Sequence, residues 1–270
     1  MHHDLTNTIY HIPGCPCTLA LLSDSHNTNP APILASLRAH RPDIICISGD
    51  FVYGSVPEHG LKMEESINAM ELVRVCAEIA PTFVSLGNHE WMLSPSDLDL
   101  IRSVGAVVLD NAWMTTVVDG GDVVIGGLTS ARVTEYQSWR RTQHTDELYP
   151  KTASRSATPA SPPQPDLSWL DDFCSVPGYH VLLSHHPELW PRIKEKKIEM
   201  VVSGHAHGGQ VRVFNPFKRE WVGLFSPGQG LLPSLTSGVV EGRLVISRGL
   251  SNTTVVPRIC NPPELVFVES

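Results

Sequence analysis

Five short segments of this 270-residue chain end in residues that bind hard or borderline metal ions: Asp24-Ser25-His26, Gly49-Asp50, Gly87-Asn88-His89-Glu90, Ser184-His185-His186 and Gly204-His205-Ala206-His207. Carboxylates, imidazoles and one amide arriving together are the ingredients of a two-metal hydrolytic site, in which ions about 3.5–4 Å apart hold a water between them. Oxygen and imidazole donors without thiolate suit Mn, Fe, Zn, Mg or Co ions, and the donor set does not choose among them.

The elements that must deliver these residues are written in the apolar runs before them. Four of the five segments directly follow a run that reads as a buried strand, namely Leu19 to Leu22, Ile44 to Ile47, Val181 to Leu183 and Met200 to Val202. Phe83 to Leu86 supplies a weaker fifth, and a sheet brings all five to one edge. Between the first two strands, Pro32 and the periodic Ile33, Leu34 and Leu37 predict a helix ending near His40, broken by Arg41-Pro42. Met63 to Ile79 carries apolar residues near helical spacing, and Pro81 stops that helix before the next strand. Ser94-Pro95 opens another through about Ser103, with Ser94 suited to the N-cap and Pro95 to the first helical position.

From Val107 to Gly127, β-branched segments between Asp-Gly and Gly-Gly turns predict antiparallel hairpins rather than further crossover units. Later segments predict short helices at Asp166 to Phe173 and Glu188 to Lys197, and strands at Tyr179 to Ser184, Glu199 to Ser203, Val211 to Phe214, Val239 to Ile246 and Leu265 to Val268. Crossover units in two portions, with hairpins between and after, predict an α/β fold of two mixed sheets packed together and covered by helices.

The ligand-bearing segments run from Asp24 to His207 without a break in pattern, so residues 1–270 read as a single domain. The stretch from about 132 to 165, rich in Thr, Ser, Arg and Pro with little periodicity, reads as a flexible insertion. Hydrophobic residues at 41% and charged residues at 18% describe an ordinary globular chain with material for a core. No apolar stretch approaches the roughly 20 residues that span a bilayer, and Met1-His2-His3-Asp4 opens without the basic and apolar regions of a signal peptide. Peripheral membrane association stays open.

The six cysteines (Cys15, Cys17, Cys46, Cys76, Cys174 and Cys260) are scattered, which predicts a reduced, cytoplasmic setting. Cys15-Pro16-Cys17 has one intervening residue rather than two and no second pair at zinc-finger spacing. A net charge of −8 argues against nucleic acid as a partner, because backbone binding rests on clustered Lys and Arg.

The five blocks resemble the pattern of the calcineurin-like metallophosphoesterase superfamily: D-x-H, G-D, G-N-H-[DE], a lone His and G-H-x-H, all present here in order. Gly204-His205-Ala206-His207-Gly208-Gly209-Gln210 and the later Ser247-Arg248-Gly249-Leu250 resemble a bacterial phosphodiesterase branch with the GHxHGGQ motif, some of whose members cleave UDP-diacylglucosamine. The resemblance implies a four-layer α/β/β/α sandwich and a centre of two divalent or trivalent ions. It places Asp24, His26 and His207 on the first metal, Asn88, His185 and His205 on the second, and Asp50 between them. It implies in-line attack on phosphorus by a metal-bridging hydroxide, from a water whose pKa falls from 15.7 toward about 7. His89 is then the general acid that protonates the leaving oxygen.

Two divalent ions with two aspartates and a hydroxide leave a net charge of about +1, so an acidic protein keeps a pocket for an anionic ester. The implied activity is hydrolysis of a phosphodiester or pyrophosphate bond in a small-molecule phosphate ester. A phosphomonoesterase of the same fold is the alternative within the class, and a metal-poor protein-binding scaffold the alternative from another. Ser25 stands where the pattern commonly has Leu, and Tyr53 where the G-D block often has a second Asp; both bear on substrate choice.

His185 rather than His186 is taken as the ligand because it closes the strand and matches the pattern; His186 lines the pocket or packs against Pro187. The loop from Tyr53 to Gly60 brings His59 toward the site as a candidate for substrate contact. His2, His3, His11, His40, His144 and His180 have no ligand-like context and are expected at the surface. Trp91 and Trp113 border the cleft or serve packing, and Gly208, Gly209 and Gln210 let the backbone approach the site or simply turn the chain out of its strand.

Overall fold

The computed structural model of the chain describes residues 4–53, 63–134, 164–217, 219–251 and 256–270. His59, most of the expected insertion (135–163), and His2, His3 and His144 lie outside the described residues. The apolar runs form strands that are buried along their length: β2 (Leu19–Leu22), β3 (Ile44–Ile47), β4 (Thr82–Ser85) and β9 (Met200–Ser203) have no exposed position. Successive strand side chains face opposite ways, so each run feeds two cores. Leu19, Leu21, Ile44 and Cys46 meet Val181, Leu183, Met200 and Val202 between the sheets, while Ala20, Leu22, Ile45 and Ile47 pack outward beneath helices. Strands covered on both faces need no polar alternation, which is why these runs are continuous.

The first sheet has the order β1 (Thr6–His11), β16 (Glu264–Glu269), β2, β3, β4, β5 (Val107–Leu109). All its neighbours are parallel except β16 and β2. The second has the order β14 (Gly238–Val240), β15 (Leu244–Ile246), β9, β8 (Tyr179–Ser184), β7 (Gly121–Leu128), β6 (Ala112–Val118). Its centre is parallel and its two edge pairs are antiparallel. Helices α1 (Ala31–His40), α2 (Ile67–Ile79) and α3 (Pro95–Ser103) cover the first sheet, burying Ile33, Leu37, Leu72, Val73 and Ile101. Helices α4 (Leu170–Ser175) and α5 (Trp190–Ile193) cover the second, setting Phe173 and Trp190 in one cluster with Val124, Leu182 and Val201. The layers are α/β/β/α, two mixed sheets flanked by helices. Two small hairpins, β10 (Arg212–Asn215) with β11 (Glu220–Gly223) and β12 (Phe225–Ser226) with β13 (Gly230–Leu231), follow β9.

Local signals set several boundaries. Ser94 caps α3 in a reciprocal capping box with Asp97, with Pro95 in the first turn. The apolar pattern from Met63 does not make one helix: a 3-10 turn spans Met63–Glu65, and α2 starts after Ser66. The expected helix over Glu188 to Lys197 shrinks to a 3-10 turn at Pro187–Leu189 followed by α5, with Pro187 and Pro191 punctuating the segment. The Val107 to Gly127 region is not all hairpin. Val107–Leu109 pairs parallel with β4 at the edge of the first sheet, and only β6 and β7 form the antiparallel hairpin.

His180 is buried rather than on the surface, its Nδ1 3.0 Å from Glu199 Oε2 and its ring edge-on to Phe173. β1, unmarked by any sequence signal used above, joins the sheet in parallel beside β16, a pairing that local pattern cannot reveal because the partners lie at opposite ends of the sequence. All six cysteines are free, with Cys15 Sγ donating to the Cys17 carbonyl 3.1 Å away. Among the described residues no helix is long and apolar enough to cross a membrane.

The sheets approach closely where β7 meets the end of β5: a Cβ added at Gly127 would overlap both the Leu109 side chain and its carbonyl oxygen. Overpacking of this kind costs about 1–3 kcal/mol. Gly127→Ala is expected to lower the unfolding free energy by about 1–3 kcal/mol, read as a lower urea midpoint at unchanged slope.

Candidate metal centre

Strands β2, β3 and β4 run parallel in one sheet and β7, β8 and β9 in the other, so within each sheet their C-terminal ends share an edge. The loops leaving them are bonded to one another. Asp24 N donates to Gly49 O (3.1 Å), His26 N to Asp50 O (3.0 Å), Ser130 N to Leu86 O (2.8 Å) and Gly204 N to His185 O (3.1 Å). Asp24, His26, Asp50, His205 and His207 all have positive φ, between 44° and 62°. That region is uncommon outside glycine, though Asp and His enter it more readily than most. Such conformers cost on the order of 1–3 kcal/mol each and persist only where the surroundings over-determine them. Two glycines show how tightly the loops close: a Cβ on Gly49 would lie 2.6 Å from Gly87 N, and one on Gly204 would overlap Ser23 Oγ and Asp24 Oδ2.

The candidate side chains meet in a buried cluster. Asp24 Oδ1 lies 3.4 Å from His207 Nε2, 3.9 Å from His26 Nε2 and 4.0 Å from His185 Nε2. Asp50 Oδ2 lies 3.1 Å from His185 Nε2 and 3.8 Å from His89 Nε2. Among the described residues four sets have donor atoms within 4.8 Å of one another: Asp24, His26 and His207; Asp50, His185 and His205; His26, Asp50 and His89, which overlaps both; and His186, Glu188 and His205. Donor atoms about 2.1 Å from a common ion lie about 3 to 4 Å apart, which is the spacing seen here.

The donor atoms also fit in kind. His26 Nε2, His185 Nε2 and Asn88 Oδ1 are buried with no hydrogen-bond partner among the described residues. Although His185 Nε2 is 3.1 Å from Asp50 Oδ2, the two are not aligned as donor and acceptor. Both imidazoles are held from behind: His185 Nδ1 lies 2.9 Å from Ser48 O, and His26 Nδ1 3.3 Å from Val52 O. Carbonyls accept only, so each Nδ1 carries a proton; neutral His26 then keeps a lone pair on Nε2 facing inward, and His185 gains one when its second proton leaves. His207 differs. Arg258 Nη2 donates to its Nδ1 at 3.1 Å, so a neutral ring keeps its proton on Nε2 until Arg258 releases it.

Charge among the protein's own groups follows the geometry. Burial opposes ionisation of Asp50, yet the His185 charge outweighs it and holds the carboxyl well below the usual range. Burial lowers His26 to about 3 against the pull of Asp50 and Asp24, and burial likewise depresses His205 and His207. For His185 burial is overcome by Asp50, which raises the imidazole to about 10. Three imidazoles are thus neutral and one charged near pH 7, the charged one beside two carboxylates.

His89 is the least enclosed of the cluster, its side chain 27% exposed, with its backbone N–H donating to Asp50 Oδ1 at 2.8 Å and its ring edge-on to His26. His186 lies beside His205 at the rim, bonded to Ser130 Oγ (2.9 Å) and Glu188 Oε1 (3.2 Å), and its Nε2 does not face Asp50. Trp113 stacks on Trp169 and belongs to packing, and Trp91 packs against the core beneath the first sheet. Gly208 and Gly209 turn the chain with positive φ, Gly209 against the backbone of Gly223.

Four residues of this neighbourhood were not singled out by sequence. Arg258 and Asn261 come from a distant segment, Asn261 Nδ2 donating to the carbonyls of His207 (2.7 Å) and Gln210 (3.1 Å). Ser130 and Glu188 flank His186. Glu90 stood in a motif that assigned it no role, yet its buried carboxylate accepts from four backbone N–H groups: Gly87 (2.7 Å), Asp50 (2.8 Å), Phe51 (2.9 Å) and Val52 (3.2 Å). Burial, then the Asp50 charge, pushes Glu90 up to about 8, while those donors favour the ionised form.

A family model described as calcineurin-like phosphoesterase matches residues 17–209. The chain is 24% identical over 259 residues to an uncharacterized metallophosphoesterase, YkoQ, of Bacillus subtilis, covering 91% of this chain and 80% of that protein. It is 24% identical over 211 residues to the phosphodiesterase YaeI of Escherichia coli, covering 74% and 64%. It is 22% identical over 307 residues to the UDP-2,3-diacylglucosamine pyrophosphatase LpxG of Chlamydia trachomatis, covering 99% and 87%.

Glu90→Gln keeps the shape but turns an amide N–H₂ toward backbone donors that then lose their acceptor. Each such buried orphan costs about 1–3 kcal/mol. The variant is expected to unfold about 2–5 kcal/mol more easily in urea, more than Gln at an exposed position of α2 such as Glu71.

Proposed function

The chain belongs to the calcineurin-like phosphoesterase family, and on that premise we propose that it is a binuclear metal-dependent hydrolase of a phosphodiester or pyrophosphate bond. One observation carries the reading: His26 Nε2 and His185 Nε2, beside Asp24 and Asp50, and Asn88 Oδ1, next to His89, are buried with no hydrogen-bond partner among the described residues. Leaving three polar atoms unsatisfied in a core is costly unless something absent from the chain satisfies them. We assign Asp24, His26 and His207 to one ion, Asn88, His185 and His205 to the other, and Asp50 to both. The donor set suits Mn, Fe, Zn, Mg or Co.

When bound, two such ions supply a Lewis acid for the phosphoryl oxygens and an activated water. The chain's own residues do the rest. Asp50 cannot swing, because the backbone N–H of His89 holds its Oδ1 and Glu90 holds its main chain. His89, partly open to solvent beside Asp50, is placed to give a proton to the leaving oxygen from its ring, worth about 10² to 10⁴ in rate. The carbonyls behind His26 and His185 hold a proton on each Nδ1 and so orient each Nε2 inward, where the neutral ring would serve as a donor.

Support for a diester or pyrophosphate over a monoester comes from two relatives, the phosphodiesterase YaeI and the UDP-2,3-diacylglucosamine pyrophosphatase LpxG. The Gly204 to Gln210 motif favours a bacterial phosphodiesterase branch, and the family match from 17 to 209 is compatible with one domain carrying an insertion near 132–165.

Chelation is expected to abolish hydrolysis, and re-addition of Mn²⁺, Zn²⁺ or Fe²⁺ to restore it. Cleavage of bis(p-nitrophenyl) phosphate should exceed that of p-nitrophenyl phosphate; no turnover of either ester, cyclic nucleotides or nucleotide sugars with any metal overturns the reading. Asp50→Asn should lower bound metal, by elemental analysis, together with activity. His89→Asn should keep its metal and lose about 10² to 10⁴ in kcat on an ester with a poor leaving group, with a smaller loss on p-nitrophenolate esters.

A further inference from the structure

Beside the second donor set stands a carboxylate that the assignment above does not use. Glu188 Oε1 lies 3.8 Å from His205 Nε2, and His186, Glu188 and His205 form a donor group of their own that shares His205 with Asp50 and His185. The carboxylate is held firmly. His186 Nδ1 is 3.2 Å from Oε1, and His186 Nε2 is 2.9 Å from Ser130 Oγ. Both ring nitrogens of His186 are therefore engaged, Nδ1 with Glu188 and Nε2 with Ser130, which fixes the ring and the carboxylate together. On the other side the turn between β12 and β13 closes over it, and Gly228, at φ 74°, has no room for a side chain because a Cβ would lie 2.5 Å from Oε1.

Two facts make this group more than packing. Its second oxygen, Oε2, is buried with no hydrogen-bond partner among the described residues. Among those residues no lysine or arginine pairs with it either; its ion-pair contacts are to His186 and His205 alone. A carboxylate held in place by His186, with one oxygen unpartnered among the described residues and no lysine or arginine paired with it there, acts on whatever charge enters the site.

We propose that Glu188 sets the charge selectivity of the site, favouring phosphodiester monoanions over phosphomonoester dianions. The proposal rests on the phosphoesterase reading above and adds the substrate class that the site prefers. With about one net positive charge left by two divalent ions, two aspartates and a hydroxide, one further anion brings the site close to neutral. A second negative charge on the substrate then meets no matching excess. A unit charge a few ångströms away in a partly solvated cleft changes an affinity by on the order of tenfold. Ser130 and His186 are positioning residues in this arrangement, because they hold the carboxylate and not the substrate.

The test compares wild type, Glu188→Gln and Glu188→Asp, each fully loaded with Mn²⁺. Glu188→Gln keeps the shape and the acceptor for His186 while removing the charge. It is expected to shift the kcat/KM ratio of p-nitrophenyl phosphate to bis(p-nitrophenyl) phosphate about tenfold toward the monoester, with Glu188→Asp within about twofold of wild type. Calorimetric binding of inorganic phosphate and of dimethyl phosphate at pH 8 gives a readout independent of turnover. The phosphate-to-dimethyl phosphate affinity ratio should rise about tenfold in Glu188→Gln only. An unchanged binding ratio in Glu188→Gln, or an equal shift in Glu188→Asp, overturns the proposal. If wild type hydrolyses neither ester, the functional reading fails, and the binding ratio still decides whether Glu188 selects by charge.

Discussion

Two carboxylates, Asp24 and Asp50, sit with essentially no solvent exposure at the junction of two sheets, and the rest of the structure answers to that placement. Removing a carboxylate from water costs several kcal/mol unless positive charge or hydrogen-bond donors replace its hydration. Donors are supplied by the backbone of His89 to Asp50 and by Ser23 Oγ and the backbone of His205 to Asp24. Positive charge comes in part from His185. The remaining imidazoles are kept neutral by burial, so they offer lone pairs and not charge, and a metal ion is the species that answers both deficits.

Meeting that demand dictates the backbone around it. Parallel strands stop short of the site and their loops turn through left-handed residues, so that side chains from five places in the chain reach a common point. Glu90 binds the Asp50 loop to the Gly87 loop with one carboxylate, doing in a buried cleft what water does for loops at a surface. Asn261 does the same for the His207 turn with its side-chain amide. Glycines at 49, 87 and 204 lie where neighbouring loops leave no space for a Cβ. The site is rigid because its loops satisfy one another, not because any one of them is regular.

The outer wall is built differently. The hairpins after β9 lean on the site through single glycines, Gly223 against Gly209 and Gly228 against Glu188. Their other faces expose Phe214, Phe217, Trp221 and Leu231. The metal-facing side is therefore specified by hydrogen bonds and close approach, whereas the outward side carries apolar surface that the fold itself does not need.

What was legible in the sequence was the part governed by local rules. Continuous apolar runs gave buried strands because both faces are covered, Ser94-Pro95 gave the start of α3 because its capping groups are four residues or fewer apart, and the blocks at strand ends gave the candidate donors by type. Tertiary structure decided what local pattern cannot carry. It paired the two ends of the chain as β1 and β16, set Val107–Leu109 in the first sheet, and buried His180. It turned His185 toward Ser48 and Asp50 and His186 toward Ser130 and Glu188, although the two are adjacent and identical, because β8 ends at Ser184 and the chain bends through the pair before the turn at Pro187. It brought Arg258, Asn261 and Glu188 to the cluster from loops with no motif of their own. Residue type fixes which atoms can donate or accept; only the packing of two sheets decides which of those atoms are left facing one another without water between them.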